Sequence, residues 1–491
     1  MPERQCLPRR RTQGQVRHRP AVLEANPVPR FIVLLSALLL SACSDPQQAY
    51  QSGEELPGGS SSVSASGSQA FSLPSANLPP SRRVDFAVGN SFFRNPWVIA
   101  PATTTARDGL GPLFNTNACQ NCHIRDGRGR TPLEGATQVT SLLVRLSIPA
   151  SSTDAQTLKQ HGNVPDPIYG GQLQDSGIPG IDREALVRVH WQEQTVTLAD
   201  GTQVSLRKPQ LDLHAFNYGA PHPELQTSLR LAPPMIGLGL LEAIPEADIL
   251  ANADPDDRNG DGIAGMANQV WDIQRQQTVL GRFGWKAGQP TLNQQNAAAF
   301  AGDLGLTSAL FPHDDCTDAQ TSCLQAPHGG EPEVSDAVLK QVLFYSRNLA
   351  VPKRRHAQDP DVLAGKALFQ QSGCAACHTP SFSTGKAAEP EQSHQRIWPY
   401  SDLLLHDMGE GLADNRGEFL ANGRQWRTAP LWGIGHTEAV SGNVSLLHDG
   451  RARSVLEAIL WHGGEAQTAR DRVVQLSSRE RQQLLRFINS L

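Results

Sequence analysis

The sequence predicts a mainly α protein of two units, with loop and small β insertions in the first. Three observations predict it. The pattern Cys-x-x-Cys-His occurs twice, as Cys119-Gln-Asn-Cys122-His123 and as Cys374-Ala-Ala-Cys377-His378. Apolar residues recur at helical spacing just before the second copy and again at the end of the chain. Between the copies, residues 186–204 alternate and are rich in β-branched side chains, as a hairpin would be, with a turn at Ala199-Asp200-Gly201.

The motifs fix what the two units hold. Cys-x-x-Cys-His is the attachment signature of c-type haem. Two thiols at this spacing reach the two vinyl groups of one porphyrin, and the adjacent histidine lies beneath the iron. With 8 Cys and 15 His in the chain, chance predicts about 0.004 such matches. Zinc would want the pairs together, but they stand 255 residues apart and each keeps its trailing histidine. A redox-active dithiol would want a βαβ context, which neither copy has. Cys119, Cys122, Cys374 and Cys377 are therefore read as the attachment points of two covalent haems c, with His123 and His378 as proximal ligands.

The elements follow in order. Residues 1–30 carry seven Arg and two Glu, and an apolar run of ten residues, 31–40, follows. Ten residues are too few to cross a bilayer but fit a signal-peptide core. Leu40-Ser41-Ala42-Cys43 then resembles the bacterial lipoprotein signal. Residues 1–42 are read as that signal peptide and Cys43 as the lipidated start of the mature chain. Ser44 in place of Asp points to the outer membrane, facing the periplasm or the cell surface. Residues 43–82, rich in Ser, Gly and Pro, read as a flexible tether. Removing residues 1–42 turns a net charge of −5 into −10, which argues against a nucleic-acid partner. Residues 83–344 form the first haem domain and 345–491 the second. In the second, residues 362–369 make a short amphipathic helix, and Ser477-Ser-Arg-Glu480 is a capping box. That box opens a final helix with Leu484, Phe487, Ile488 and Leu491 on one face. Packing of first and last helices would make a cytochrome c-like domain.

Two smaller features stand apart. Asp257, Asn259 and Asp261, with Gly262 at the sixth position, match the start of an EF-hand loop and suit Ca²⁺; the twelfth position is Asn268, not Glu. The alternative is an Asx-rich turn. Cys316 and Cys323 bracket six polar-loop residues, a spacing that favours a local disulfide in an exported protein over two free thiols.

Much of residues 84–491 resembles the bacterial di-haem oxidoreductases, a family described as peroxidases and formerly labelled thiol oxidoreductases. The segments that carry the resemblance include Arg107-Asp-Gly-Leu-Gly-Pro-Leu-Phe-Asn115, Arg125-Asp-Gly-Arg-Gly129 and Tyr169-Gly-Gly-Gln-Leu-Gln174. Others are Gly281-Arg-Phe-Gly-Trp-Lys286, Asp402-Leu-Leu-Leu-His-Asp-Met-Gly409 and Glu457-Ala-Ile-Leu-Trp-His-Gly-Gly-Glu465. The thiol label does not survive attachment, because thioether sulfurs cannot exchange disulfides. The resemblance, which extends to di-haem cytochrome c peroxidases, implies an enzyme that reduces peroxide or a related small oxidant at the first haem. Electrons would enter at the second haem from a periplasmic donor, a small cytochrome or a cupredoxin. It implies His462 as distal ligand of the second haem, a position also marked by the apolar helical run before it and the Gly463-Gly464 stop after it. His448 and Met408 are the competitors. It implies Trp285 as an indole between the haems and Asp303 as the acid that moves protons during O–O cleavage. Their alternatives are a structural tryptophan and a helix cap. His222 and Met235 are candidates beside the first iron, which would otherwise be five-coordinate. Calcium between the haems fits the same resemblance. Two other functions remain open: a non-catalytic electron-transfer cytochrome at the outer membrane, and an oxidase of organic or protein substrates.

Overall fold

Beside each Cys-x-x-Cys-His turn lies a crossed pair of helices whose contact point is a glycine. The structure, a computed structural model, describes residues 50–491 except 135, 137 and 138. The signal segment 1–42 and Cys43 lie outside the described residues. In the first pair, Arg83–Arg94 crosses Asp336–Asn348. A side chain at Gly89 would place its Cβ 2.2 Å from the Gln341 carbonyl oxygen, so only glycine permits this approach. Phe86 and Phe93 fill the crossing against the ring of Tyr345. In the second pair, Pro360–Gln371 crosses Ser478–Ile488, and a Cβ at Gly365 would lie 2.0 Å from the Gln483 carbonyl oxygen.

Local chemistry explains the ends of the second pair. The first helix is longer than the 362–369 expected from periodicity. Asp359 caps it by accepting from the N–H of Asp361 and Val362, and Pro360 sits where its missing N–H costs nothing. The final helix opens on a complete capping box between Ser477 and Glu480. Phe369, Tyr400 and Phe487 pack between the two helices. The boundary expected between residues 344 and 345 falls inside the Asp336–Asn348 helix, which partners Arg83–Arg94.

The hairpin forms around the expected turn. Leu186–Thr197 pairs antiparallel with Gln203–His214, so the second strand runs ten residues past the expected end. Asp200 turns the chain by accepting from the Thr202 N–H at 3.1 Å. The hairpin tip reaches far from its own unit. Leu198 and Leu206 bury beside Trp285 and Trp461, and Asp200 pairs with Arg481 at 2.7 Å.

The expectation of a mainly α fold is overturned. The protein is 30% helical and 18% strand. Its described strands form six separate two-stranded sheets. Most strands are two to six residues long and pair across remote segments, as Leu142–Ser147 does with Gln226–Leu231 and Leu405–Asp407 with Gln425–Arg427. Strands so short carry too little alternation to register as a period.

The tether is corrected over its described part. Residues 50–82 pack onto the body, with Phe71 and Leu78 buried in two different cores. Their backbone joins residues 348–353 through Ser75, Ala350, Val63 and Lys353. Glu54 is fully buried and accepts from Lys366 at 2.6 Å. A few well-placed apolar side chains and one buried carboxylate dock a stretch whose composition alone looks flexible. The described residues form one compact unit. Among the described residues no helix is long and apolar enough to cross a membrane.

Candidate functional site

Two cavities lie on either side of one wall. The first, of about 970 Å³, is lined by Cys119, Cys122 and His123 together with Met235, Phe300 and Asp303. The second, of about 480 Å³, is lined by Cys374, Cys377, His378 and His462. Both volumes fall in the range that encloses a sizeable organic ligand. The four motif thiols form no disulfide. The other expected pair, Cys316 and Cys323, is bonded.

The first motif is a single helical turn, Cys119–Cys122, followed by Arg125 and Asp126, both at positive φ, which swing the chain away behind His123. The ring Nδ1–H of His123 donates to the Pro233 carbonyl at 2.8 Å. That bond leaves Nε2 with its lone pair, the state a metal ligand needs. Burial pushes the His123 pKa down to about 4 against the pull of the Pro233 bond, so the ring is neutral.

The second motif repeats the device. His378 donates from Nδ1 to the Tyr400 carbonyl at 2.8 Å, and burial pushes its pKa down to about 4. His462 ends the Val455–Trp461 helix. Its Nδ1–H donates back to the Ala458 carbonyl at 2.6 Å, and burial lowers its pKa. Two neutral imidazoles in one cavity thus each keep a free Nε2. The competitors also line this cavity. His448, however, is stacked on Trp426 at 3.6 Å, with its Nε2 3.5 Å from Asp449.

Trp285 lines both cavities. Its indole N–H donates to the Leu231 carbonyl at 2.8 Å, and its own carbonyl accepts from the Arg427 N–H. Lys286, next in sequence, is fully buried and anchors this turn: its ammonium donates to Asp414 at 2.9 Å, to the Arg416 carbonyl at 2.9 Å and to the Asn422 carbonyl at 2.7 Å.

Asp303 is the penultimate residue of the Leu292–Leu304 helix, where it is no cap. Gln172 donates to its carboxylate at 2.9 Å. Burial raises its pKa, with Arg145 and Gln172 opposing. His222 does not line either cavity; its Nδ1 accepts from the Glu224 N–H. In the acidic loop, Asn259 and Asp261 accept from the N–H groups of Asp261 and Ile263, two Asx turns in succession, and Asp257 accepts from the Gly262 N–H.

The sequence profile of a family described as "di-haem oxidoreductase, putative peroxidase" matches residues 52–491. The chain belongs to this family. No curated protein matches the chain. The residues of this di-haem oxidoreductase fit two haem groups: each cavity presents two thiols and a neutral histidine with a free ring nitrogen.

Several residues of the di-haem oxidoreductase's site were not singled out from sequence. His406 lies between Asp402 at 2.8 Å and Glu465 at 2.6 Å, with the Cys377 sulfur 3.6 Å away. Desolvation works against its charge, but the two carboxylates and the thiol push its pKa up to about 12. Glu465 also accepts from the N–H of Ala264 and Asp407, so it ties the acidic loop to the second cavity. Arg128 and Arg427 line both cavities. His406 and Arg128 stand in the segments that carry the family resemblance, which was the available signal; their partners are remote in sequence and show only in three dimensions.

Proposed function

We propose that this di-haem oxidoreductase attaches both haems covalently and works as a peroxidase. The observation that supports this best is a wall carrying Trp285 between two cavities that each hold a Cys-x-x-Cys-His turn. When bound, the haem irons supply one-electron redox chemistry and a place for peroxide oxygen. Cys119 with Cys122, and Cys374 with Cys377, hold the porphyrins as thioethers. His123 and His378 present Nε2 as proximal ligands. His462 presents a second Nε2 in the second cavity; with both histidines on its iron a haem there would have a low potential, suited to take electrons from a small cytochrome or cupredoxin in the periplasm. Trp285 bridges the two sites as a relay. Asp303 would be the carboxyl beside the first cavity that supplies a proton for O–O cleavage. Each hydrogen peroxide takes up two electrons and two protons and leaves as two waters.

Cys43 serves as the lipid anchor in this reading and places the enzyme at the outer membrane. Asp257, Asn259 and Asp261 are the proposed Ca²⁺ ligands, on a loop that Glu465 joins to the second cavity. The testing experiment uses the full chain with its haems attached. A pyridine haemochrome assay should give two covalent haems, and a reduced small cytochrome should be oxidised by hydrogen peroxide with a two-to-one stoichiometry. Trp285→Phe should keep both haems and lose at least ~10-fold in turnover, the equivalent of about 1.4 kcal/mol. Two haems with no peroxide turnover would make the chain an electron carrier instead.

A further inference from the structure

Between the Leu292–Leu304 and Asp336–Asn348 helices the chain makes a long excursion, residues 305–335. Its ends are pinned together, since the Val334 N–H donates to the Thr307 carbonyl at 3.0 Å. The Cys316–Cys323 disulfide closes a smaller loop in its middle. Phe311, Asp315, Cys316, Thr317 and Asp318 line the first cavity. Between the pinned ends and the disulfide, three side chains from the two arms converge. Asp314 stands on the outgoing arm, and His328 and Glu333 on the returning one.

The two carboxylates are set deep and held apart from ordinary donors. The Glu333 side chain is only 2% exposed. Gly109 and Gly329 close over it: a Cβ at Gly109 would lie 2.4 Å from the Glu333 Cγ and 3.0 Å from the Gly329 Cα. Glu333 Oε2 accepts from the Thr307 N–H at 2.9 Å and from the Thr307 hydroxyl, which fixes the carboxylate. Its Oε1 lies 3.6 Å from the His328 Nδ1, and Asp314 Oδ2 lies 3.5 Å from the same nitrogen. Asp314 Oδ1 is buried with no hydrogen-bond partner among the described residues. A buried carboxylate without a partner is costly. Burial raises the Asp314 pKa, and Glu333 adds to the rise while His328 and His313 oppose it.

The distances and the donor types select what would complete the cluster. Both separations from Nδ1 exceed the usual ~2.7–3.2 Å of a hydrogen bond. Both lie near the ~3.4 Å edge of a tetrahedron built on bonds of about 2.1 Å, the length zinc makes to imidazole nitrogen and carboxylate oxygen. All three ligand atoms lie within 4.8 Å of one another. An imidazole beside two carboxylates suits a zinc-like ion better than calcium, which takes oxygen ligands alone. The half-exposed His328 ring leaves the solvent side open for water as a fourth ligand.

We propose that Asp314, His328 and Glu333 bind a zinc-like divalent ion that clasps the two arms of this excursion beside the first cavity. The site needs no haem for its ligands, so it stands independently of the di-haem reading. The ion would hold in place the arm that carries Asp315, Cys316 and Thr317 into the cavity lining.

The test uses the full, untagged chain, stripped with a chelator and then titrated with Zn²⁺ alone, as wild type, His328→Ala and Asp314→Asn. Calorimetry and zinc quantitation read the binding. The wild type should take up a zinc ion that excess Ca²⁺ does not displace. Loss of a residue that merely supports a ligand weakens metal binding by about 10–100-fold, so loss of a ligand itself should cost at least ~10-fold in each variant. Hydrogen exchange over residues 312–331 gives a second readout: Zn²⁺ should slow it in the wild type and leave it unchanged in His328→Ala. His328 is half exposed, so its replacement leaves the folded chain available for both measurements. A wild type that binds no zinc, zinc bound equally by all three chains, or zinc displaced by Ca²⁺ would overturn the site.

Discussion

Replacing Gly365 by Ala drives a methyl group into the crossing of the Pro360–Gln371 and Ser478–Ile488 helices. The new Cβ would stand 2.0 Å from the Gln483 carbonyl oxygen, 2.6 Å from its carbon and 2.7 Å from the Phe487 Cβ. Two of those three atoms are backbone, so no rotamer change relieves the clash and the helices must separate. Overpacking of this kind costs about 1–3 kcal/mol. The better helix propensity of Ala returns up to ~1 kcal/mol. Unfolding entropy of about 2.1 cal/mol/K per residue over roughly 450 residues makes 1 kcal/mol worth only about 1 °C. The melting midpoint should therefore fall by about 1–2 °C. The local effect should be plainer. Phe369 lies on the displaced helix, 6.2 Å from the His378 ring and 5.3 Å from the Phe487 ring. Differential scanning calorimetry reads the first effect, and the low-spin EPR signal of the second haem reads the second. Gly89→Ala, which puts Cβ 2.2 Å from the Gln341 carbonyl oxygen, should disturb the first haem and leave the second. An unchanged midpoint with an unchanged spectrum in Gly365→Ala would refute the crossing as the element that sets the second site.

Three further outcomes are expected. His462→Ala should convert the second haem from low spin to high spin, while His448→Ala leaves it low spin; the reverse result in EPR moves the ligand to His448. Asp303→Asn should keep both haems and cut peroxide turnover by ~10²-fold or more, with the pH dependence of turnover flattened; full activity removes Asp303 from proton transfer. Asp126 is almost fully buried, and that burial pushes its carboxyl up to about 6 although Ser72 and Tyr345 donate to it. Its folded pKa exceeds its unfolded one, so its contribution is complete below about pH 4 and is lost as pH rises through about 6. Asp126→Asn should flatten the stability profile over that window by up to about 3 kcal/mol; an unchanged slope in pH-dependent chemical denaturation contradicts this.

Much of the site was legible because its chemistry is local in sequence. Two thiols and a histidine within five residues read as haem attachment wherever they fall, and the Ser477 capping box and the Ala199-Asp200-Gly201 turn are equally local. The fold class was not legible, because the strands that dilute the helices are short and pair across intervals as long as that between Leu142–Ser147 and Gln226–Leu231. The docking of residues 50–82 depends on a few contacts, such as Glu54 with Lys366, that composition averages away. The same holds for His406, Arg128 and Arg427. Each is defined by what it faces: two carboxylates and a cysteine for His406, and both cavities for the two arginines.

In the proposed function two unlike haem sites share the Trp285 wall, one to receive electrons and one to cleave peroxide. Low-temperature EPR of the fully oxidised and half-reduced enzyme, each frozen within milliseconds of adding hydrogen peroxide, tests it most directly. The expected result is one low-spin bis-His signal and one high-spin signal, with the high-spin signal alone consumed by peroxide. Two low-spin signals, unaffected by peroxide in every redox state, would contradict it.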